Sequence, residues 1–414
     1  MTRVLLLMPT QTYRASAFLK AAAELGLEVV VGTEQEQVLA HLNPAGYLAV
    51  DFHELEGATD KIVAYAQDNP LQAIIAAEDD GVLLAAMASD ALALKHNSLL
   101  AVRSARNKYQ TRKVLSAAGM RTPEFQRFAI TDKPERIAEK FSYPAVVKPL
   151  ALSASRGVMR VNNPDEFVLA FRRLVDILET VGDHAIDLDL QQILVESYLP
   201  GVEVAVEGLI EAGELSVLAI FDKPDELEGP FFEETIYVTP SRHPEGLQAE
   251  ITAATQEAIR ALGLTTGAVH VELRINEEGA WILEVAPRSI GGYCSIALRF
   301  GLGTTLEELI LQQALGRSLT STLPATPASG VMMIPIPKAG ILCEINGVED
   351  AQKVPGIDEI RMTIPVGQEL LTLPEGSQYL GFIFARDEMP EKVEQALRQA
   401  HKRLDFIIMP PNEM

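Results

Sequence analysis

The chain has 414 residues, of which 48% are hydrophobic, and it carries 28 glycines and 24 prolines. At about 150 residues per domain this length predicts two to four domains, and the composition excludes a disordered or collagen-like chain. The formal net charge of -22 argues against a nucleic-acid partner, because following a phosphate backbone requires clustered Lys and Arg. A single bound nucleotide needs only a few local cations, so nucleotide binding stays open.

The chain has two cysteines, Cys294 and Cys343, which are too few for a disulfide scaffold and have no metal-binding spacing. The apolar run at 4–8 is too short for the core of a signal peptide and ends at Pro9. No stretch approaches the roughly 18 apolar residues of a membrane span. We therefore expect a cytoplasmic protein with no membrane partner.

The first part of the chain alternates strands and helices. Strands are predicted at 3–8, 27–31 and 73–77, with a helix over 14–25 that ends at Gly26. This alternation is typical of a parallel α/β sheet, so we expect a Rossmann-like domain. The glycines of a G-x-G-x-x-G turn are missing after the first strand, which argues against NAD.

The pattern changes near residue 100. Ser104 is predicted to cap a helix over 105–118, and short strands with helices at 164–180 and 246–262 follow in an α+β pattern. After residue 320, closely spaced Pro and Gly, short strands and a helix over 390–403 indicate a small C-terminal α+β domain. The predicted domains are 1–103, 104–200, 201–322 and 323–414.

Two acidic residues are predicted to face each other across a β-hairpin. A three-residue loop at 277–279 would pair Asn276 with Ala280, and counting back along the strands then places Glu272 opposite Glu284. Facing carboxylates repel unless a cation lies between them, and two oxygen ligands suit Mg²⁺. The alternative is a slipped register that leaves one of the two glutamates in solvent.

Two further segments have weaker patterns. Lys148 ends an apolar strand and precedes a loop of small residues at 151–158, where it could bind phosphates; alternatively, it is a solvated strand end. Residues 193–207 form a strand, a Pro-Gly turn and a second strand that contains Glu203. The first strand's end could bind an adenine edge and Glu203 a ribose, or the segment is an ordinary hairpin.

These motifs occur in the order found in a known family. They are Lys108 in Arg-Asn-Lys-Tyr, Lys148 in Val-Val-Lys-Pro, the 151–158 loop, Val-Glu-Ser-Tyr-Leu-Pro-Gly, Glu272, and Leu-Glu-Val-Ala-Pro-Arg-Ser-Ile-Gly-Gly at 283–292. Over roughly residues 1–320 the chain resembles the ATP-grasp carboxylate–amine ligases. The segment 222–240 looks like the bacterial L-amino acid ligase branch, and 330–408 is similar to the C-terminal domain of that branch.

The resemblance implies an ATP-grasp fold between the Rossmann-like and C-terminal domains, with ATP and Mg²⁺ as cofactors. The residues it assigns to ATP are Lys108, Lys148, Ser153, Ser155 and Gly157 for the phosphates, Glu196, Tyr198 and Leu199 for the adenine hinge, and Glu203 for the ribose. Glu272 and Glu284 would hold two Mg²⁺ ions, with Mn²⁺ as a substitute. The implied catalytic residues are Arg288, Lys148 and Glu233, and the implied substrate residues are Glu233, His270, Arg288, Gly291 and Gly292.

The sequence departs from the family pattern at three places. Ala286 stands where many ATP-grasp enzymes have an Asn metal ligand. The phosphate loop contains a single glycine, Gly157, where several are common. Gly291 and Gly292 leave room where a bulky side chain could narrow the first substrate's pocket, so we expect a substrate larger than alanine or a broader range.

The resemblance implies an ADP-forming ligase that activates an L-amino acid carboxylate as an acyl phosphate and joins it to the amine of a second amino acid. Its expected partners are therefore small amino acids, and a homodimer is one option for its assembly. Two alternatives remain at this point. One is another ATP-grasp ligase of the glycinamide-ribonucleotide or biotin-carboxylase type, and the other is a nucleotide-binding protein without catalysis.

Overall fold

The computed structural model describes residues 2–10, 12–35, 46–181, 188–319, 322 and 327–410. The first domain is a parallel sheet, as the sequence predicts, and its strand order is β3-β2-β1-β4. Its strands are β1 (Arg3–Leu7), β2 (Glu28–Thr33), β3 (Tyr47–Ala49) and β4 (Ala73–Ala76). Its helices are α1 (Ala15–Glu24), α2 (Leu55–Asp68) and α3 (Val82–Ala91).

The single helix predicted over 105–118 is wrong: the segment contains two helices, α4 (Leu99–Arg106) and α5 (Lys108–Ala117). Ser104 therefore lies inside α4 and caps nothing. The extended backbone of Asn107 separates the helices, and its side chain accepts a hydrogen bond from the Gln110 N–H as the cap of α5. This break places Lys108 in the first turn of a helix.

The second domain is an antiparallel sheet in the order β5-β8-β6-β7. Its strands are β5 (Phe125–Ala129), β6 (Ala145–Pro149), β7 (Met159–Val161) and β8 (Gln192–Ser197), with helices α6 (Pro134–Ile137) and α7 (Pro164–Glu179). The apolar stripe of α7, which includes Phe167, Phe171 and Leu174, packs with the sheet residues Val147 and Val195 in one core. The loop between β6 and β7 is the predicted phosphate loop.

The largest sheet has eight antiparallel strands in the order β13-β12-β9-β10-β11-β14-β18-β16. Its strands are β9 (Val202–Glu211), β10 (Glu214–Lys223), β11 (Ile236–Thr239), β12 (Thr266–Asn276), β13 (Gly279–Ala286), β14 (Ala328–Ile334), β16 (Ile357–Met362) and β18 (Gly381–Asp387). The helices α8 (Glu245–Leu262) and α9 (Leu306–Ala314) pack against it.

The C-terminal segment adds a three-stranded sheet to this framework. It consists of β15 (Gly340–Asn346), β17 (Glu369–Leu370) and β19 (Asp405–Met409), with helices α10 (Val348–Gln352) and α11 (Pro390–His401). Because β14, β16 and β18 continue the large sheet, the backbone hydrogen bonds cross the predicted boundary at 322/323, where residue 323 lies outside the described residues. The domain boundaries stay predictions. Within the described ranges, none of the helices combines the length and apolar character needed to cross a membrane.

A buried arginine joins the first domain to the large sheet. Arg14 precedes α1, and its guanidinium donates to the Ser289 Oγ at 2.6 Å, the Ile290 carbonyl oxygen at 3.0 Å and the Glu307 carboxylate at 3.0 Å. Arg14 is 1% exposed and Glu307 2% exposed. Because neither charge reaches water, each depends on the other for its neutralisation. Arg14 thus fixes the segment that follows β13.

We predict that Arg14→Met, which keeps the apolar bulk, lowers the free energy of unfolding by about 3–5 kcal/mol because it strands the buried Glu307 carboxylate. Urea unfolding followed by circular dichroism measures the change. The control is Arg260→Ala, which removes an exposed ion pair to Glu214 (2.8 Å) and should cost less than about 1 kcal/mol. Equal losses of unfolding free energy in the two variants would contradict the conclusion that Arg14 joins the first domain to the large sheet.

Candidate active site

The first domain, the second domain, the large sheet and the C-terminal segment surround a cavity of about 540 Å³. It contains most of the residues that the sequence singles out: Lys108, Lys148, Ser153, Ser155, Glu196, Tyr198, Leu199, Glu203, His270, Glu272, Glu284, Arg288, Gly291 and Gly292 all line it. Gly157 and Glu233 do not. The volume of the cavity lies within the range of small-molecule binding sites in proteins.

A β-bulge places Glu284 in the cavity. The turn of the hairpin is shorter than predicted, because Asn276 pairs with Gly279 rather than with Ala280. An extra residue at Leu283 then shifts the register by one, so that Glu272 and Glu284 are opposite each other as predicted. Without the bulge, Glu284 would continue the row of β13 that is buried under α8.

A second β-bulge directs the buried Lys223 toward the acidic side chains that line the cavity. The register between β9 and β10 shifts at Leu218, after which Lys223 pairs with Glu203. Strands alternate their faces, so this shift turns Lys223 toward the acidic side chains and away from the core under α8. The sequence alone gives no sign of the bulge.

Lys223 is the centre of a buried acidic cluster. Its Nζ lies 2.7 Å from Glu203, 3.3 Å from Glu272, and in close contact with Glu234. Burial opposes its charge, but Glu203 and then Glu234 hold the pKa of Lys223 well above its ordinary value. Burial and the nearby Glu272 carboxylate raise the pKa of Glu234 to about 7, and the Tyr237 hydroxyl donates to it at 2.8 Å.

His270 joins this cluster to a second buried carboxylate. Its Nδ1 lies 3.1 Å from Glu207, and its Nε2 lies 3.5 Å from Glu272. Burial opposes protonation, but the two carboxylates raise the pKa of His270 to about 9. Glu207 also accepts the Ile290 N–H at 3.0 Å. The imidazolium therefore links the cavity to the backbone segment that Arg14 fixes.

Lys148 and Arg112 share the buried carboxylate of Glu196. Arg112 Nε donates to it at 2.6 Å, and the Lys148 Nζ contacts its other oxygen. Burial is the main cause that lowers the pKa of Lys148, to about 8, while the Glu196 carboxylate opposes this shift. Lys148 is therefore an ammonium at neutral pH and loses its charge in a mildly alkaline range.

The carboxylates of Glu272 and Glu284 fit a divalent cation. Each offers hard oxygen ligands, and the two residues are paired across β12 and β13. Among the described residues, the three carboxylates whose oxygens lie within 4.8 Å of one another are Glu203, Glu234 and Glu272, a group that includes Glu272 and not Glu284. Lysines balance the negative charges of the two carboxylates. The Lys108 Nζ lies 3.1 Å from Glu284, and the Lys223 Nζ lies 3.3 Å from Glu272. Ala286 lines the cavity beside them and supplies no ligand atom.

Arg288 faces the cavity from the end of β13 and is held by the first domain. Its Nε and Nη2 donate to one oxygen of Asp79 at 3.0 and 2.6 Å, and its Nη1 donates to the Ser289 carbonyl oxygen. Burial opposes its charge, but Asp79 raises the pKa of Arg288 further above its ordinary value. The guanidinium is fixed in place and always charged.

The predicted adenine hinge differs in detail from the structure. Glu196 turns its side chain toward Lys148 and Arg112, so it acts as an ion partner within the sheet. The Tyr198 N–H, directly after the end of β8, already donates to the Pro144 carbonyl oxygen at 3.0 Å. The Leu199 carbonyl oxygen accepts from Arg274. The carboxylate of Glu203, predicted for the ribose, is bound by Lys223 and Arg274.

Two predicted site residues lie outside the cavity. Gly157 has a left-handed backbone (φ +74°), and a Cβ there would lie 2.7 Å from the Leu174 side chain, so this glycine serves close packing on α7. Glu233 does not face the cavity, contrary to the prediction. Phe232 and Glu234 face it instead, because alternate residues of an extended segment point to opposite sides.

The end of the cavity near Gly291 and Gly292 is aromatic. Tyr13, Tyr379 and Phe382 line it together with these glycines. A Cβ at Gly291 would meet nothing within 4 Å, whereas one at Gly292 would meet the Phe382 ring at 3.3 Å. The room predicted at Gly292 is thus taken by Phe382, and the room at Gly291 remains.

Sequence reasoning missed Lys223, Glu234, Glu207 and Asp79. Glu234 adjoins the predicted Glu233, and Glu207 lies on the same strand face as Glu203, so strand alternation could have found both. Lys223 is the last residue of β10, before Pro224, but the direction of its side chain depends on the bulge. Asp79 reaches Arg288 across a domain interface, which has no local signal.

Comparisons with known protein families match three parts of the chain. Residues 141–297 match an ATP-grasp domain, residues 19–95 an ATP-grasp N-terminal domain, and residues 332–409 the L-amino acid ligase C-terminal domain 2. Together these matches extend through the first domain, the cavity and the C-terminal segment.

Individual relatives agree with these matches. Alanine–anticapsin ligase of Bacillus amyloliquefaciens is 24% identical over 62% of this chain, which spans 56% of that protein's length. The solved L-amino acid ligase of Bacillus licheniformis is 26% identical with a TM-score of 0.85, and 99% of each chain is covered. The solved phosphoribosylglycinamide synthetase of Anaerococcus prevotii is 18% identical with a TM-score of 0.67, covering 98% of this chain and 100% of its own, which shows a shared fold.

We predict that the affinity for a nucleoside triphosphate weakens above pH 8, because the amine of Lys148 is protonated below its pKa of about 8 and neutral above it. If only the protonated form binds, the Kd rises by up to about tenfold per pH unit. Calorimetric titration with a non-hydrolysable ATP analogue between pH 7 and 9.5 measures this rise. Lys148→Arg keeps the positive charge at high pH, so the Kd of this variant should rise much less between pH 7 and 9.5. The same rise in wild type and variant would exclude the titration of Lys148 as its cause.

Proposed function

Because the chain belongs to the ATP-grasp superfamily, we propose that it is an ADP-forming ligase that joins the carboxylate of one L-amino acid to the amine of a second. One observation carries this proposal: a single cavity contains two lysines suited to phosphates, facing carboxylates suited to a divalent cation, and a fixed arginine. The match to an L-amino acid ligase C-terminal domain supports amino acids as substrates. The match covers 56% of the length of the alanine–anticapsin ligase, so the substrates of that protein are not assigned to this chain.

In the proposed reaction a substrate carboxylate oxygen attacks the γ-phosphorus of ATP, the bond to the β-phosphate oxygen breaks, and ADP leaves. Lys108 and Lys148 bind the phosphates, and Ser153 and Ser155 in the loop cover them. Glu272 and Glu284 would hold two Mg²⁺ ions, or Mn²⁺ in their place, which neutralise phosphate charge when bound. The protein contributes chiefly positioning and charge.

The amine of the second amino acid then attacks the carbonyl carbon of the acyl phosphate, the C–O bond to phosphate breaks, and an amide and inorganic phosphate result. Arg288 is placed to stabilise the negative charge that develops on the oxygens. Glu234 faces the cavity where Glu233 does not, so it replaces Glu233 as the predicted catalytic carboxylate and accepts the amine's proton. A cavity closed to water would protect the acyl phosphate from hydrolysis.

The substrate residues proposed here are His270 and Arg288, together with the aromatic end of the cavity around Gly291. The space at Gly291 supports a first substrate with a side chain larger than a methyl group. A cytoplasmic location, a homodimer and the lack of a nucleic-acid partner stay predictions of the same proposal.

We predict ADP release from MgATP in the presence of pools of the twenty amino acids, with a new mass equal to two amino acids less water in the active pools. A coupled ADP assay followed by mass spectrometry gives both readouts. Glu284→Gln should lower turnover at least about 100-fold, whereas Glu278→Gln in the exposed hairpin turn should not. ADP release only with other acids or amines would contradict the dipeptide product, and nucleotide binding with no release would contradict catalysis.

A further inference from the structure

The loop that would cover the ATP phosphates has an unfavourable backbone. Ala154 and Ser155 both adopt left-handed conformations (φ +54°), although neither is a glycine. Residues of this kind persist where surrounding contacts hold them. The loop's own contacts are two local turns, in which the N–H groups of Arg156 and Val158 donate to Ser153 and Ser155. The loop therefore depends on contacts from elsewhere.

The Lys108 Nζ donates to the Leu152 carbonyl oxygen at 2.9 Å, and the Arg156 Nη2 donates to the Thr180 Oγ1 at 3.4 Å. Two further contacts come from the C-terminal segment at 372–379, between β17 and β18. The Gly157 N–H donates to the Pro374 carbonyl oxygen at 3.0 Å, and the Arg156 Nε donates to the Glu375 carbonyl oxygen at 2.9 Å. Both bonds reach the loop from a different domain, more than 200 residues away along the chain.

An ion pair strengthens this contact on the side of α7. Arg173 donates to the two Glu375 carboxylate oxygens at 2.6 and 2.9 Å, which is the bidentate geometry that favours Arg–carboxylate pairs. Partial burial opposes the charge, but the hydrogen bonds from Arg173 hold the pKa of Glu375 below its ordinary value. Glu375 thus binds the loop through its backbone and the adjacent helix through its side chain.

The 372–379 segment contains a tight turn and extends into the cavity. The Gly376 N–H closes a tight turn onto the Thr372 carbonyl oxygen at 2.8 Å, and a Cβ at Gly376 would lie 2.2 Å from the Leu371 carbonyl oxygen, so only glycine fits. Ser377 and Tyr379, further along the segment, line the cavity. One end of the segment therefore contacts the phosphate loop and the other contacts the aromatic end.

We propose that Glu375 is a positioning residue that holds the 151–157 loop closed over the nucleotide, and that the 372–379 segment makes this closure depend on an amino acid in the aromatic end of the cavity. The proposal rests on the proposed function for the identity of the two ligands. The contact between loop and segment is independent of it and can be tested on the protein without ligands.

Limited digestion with trypsin tests the contact, because Arg156 is a cleavage site within the loop. Glu375→Ala should speed cleavage after Arg156 at least threefold relative to other tryptic sites, measured by mass spectrometry of the fragments. The matched control is Glu135→Ala, which removes an ion pair to Arg172, the residue next to Arg173 on α7. It should leave the rate of cleavage after Arg156 unchanged. The double variant Arg173→Glu/Glu375→Arg should restore protection. Equal cleavage in wild type and Glu375→Ala overturns the proposal.

The coupling is tested on the same proteins with a non-hydrolysable ATP analogue and Mg²⁺, with and without an amino-acid pool. In wild type the pool should further slow cleavage at Arg156, and in Glu375→Ala this added protection should disappear. Protection by the nucleotide alone, unaffected by any pool, overturns the coupling. If the ADP assay fails while Glu375→Ala still exposes Arg156, the proposed function is wrong and the contact stands.

Discussion

Charges buried on one face of a β-sheet must be neutralised within the protein, and Lys223 meets this constraint for the large sheet. Its ammonium contacts Glu203, Glu234 and Glu272, three carboxylates that would otherwise repel one another at short range. The same rule holds around it, with His270 between two glutamates and Lys108 on Glu284. The acidic site can therefore exist before any cation arrives, and a divalent ion would take over carboxylates that lysines already hold.

Charged residues also form the contacts between the domains. Arg14 fixes the segment after β13 from the first domain, while Asp79 holds Arg288 at the end of that strand. A third contact, from Glu375, reaches the phosphate loop from the C-terminal segment. Each of these charged residues belongs to a different domain from the group it positions. The cavity is thus assembled by the interfaces, and its geometry depends on their correct packing.

Much of this arrangement could be predicted from the sequence, and the rest has identifiable physical causes. The alternation of strands and helices predicts the parallel first sheet, and counting along the hairpin predicts the pairing of Glu272 with Glu284. That pairing was reached through a turn one residue too long, and the bulge at Leu283 compensated for the error. The bulge at Leu218 that directs Lys223, and the contact from Asp79, depend on tertiary packing and leave no local pattern. The choice between Glu233 and Glu234 lies beyond sequence, because the side to which alternate residues of an irregular segment point is not fixed by a local pattern.

The central claim is that the facing carboxylates of this cavity hold the metal of a bound nucleotide. A crystal structure with Mn²⁺ and a non-hydrolysable ATP analogue tests it most directly, because anomalous scattering locates the ion without ambiguity. We predict an anomalous peak between the Glu272 and Glu284 carboxylates, with the triphosphate extending toward Lys148. A nucleotide bound elsewhere, or an ordered triphosphate in the cavity with no ion at these two residues, would contradict the account.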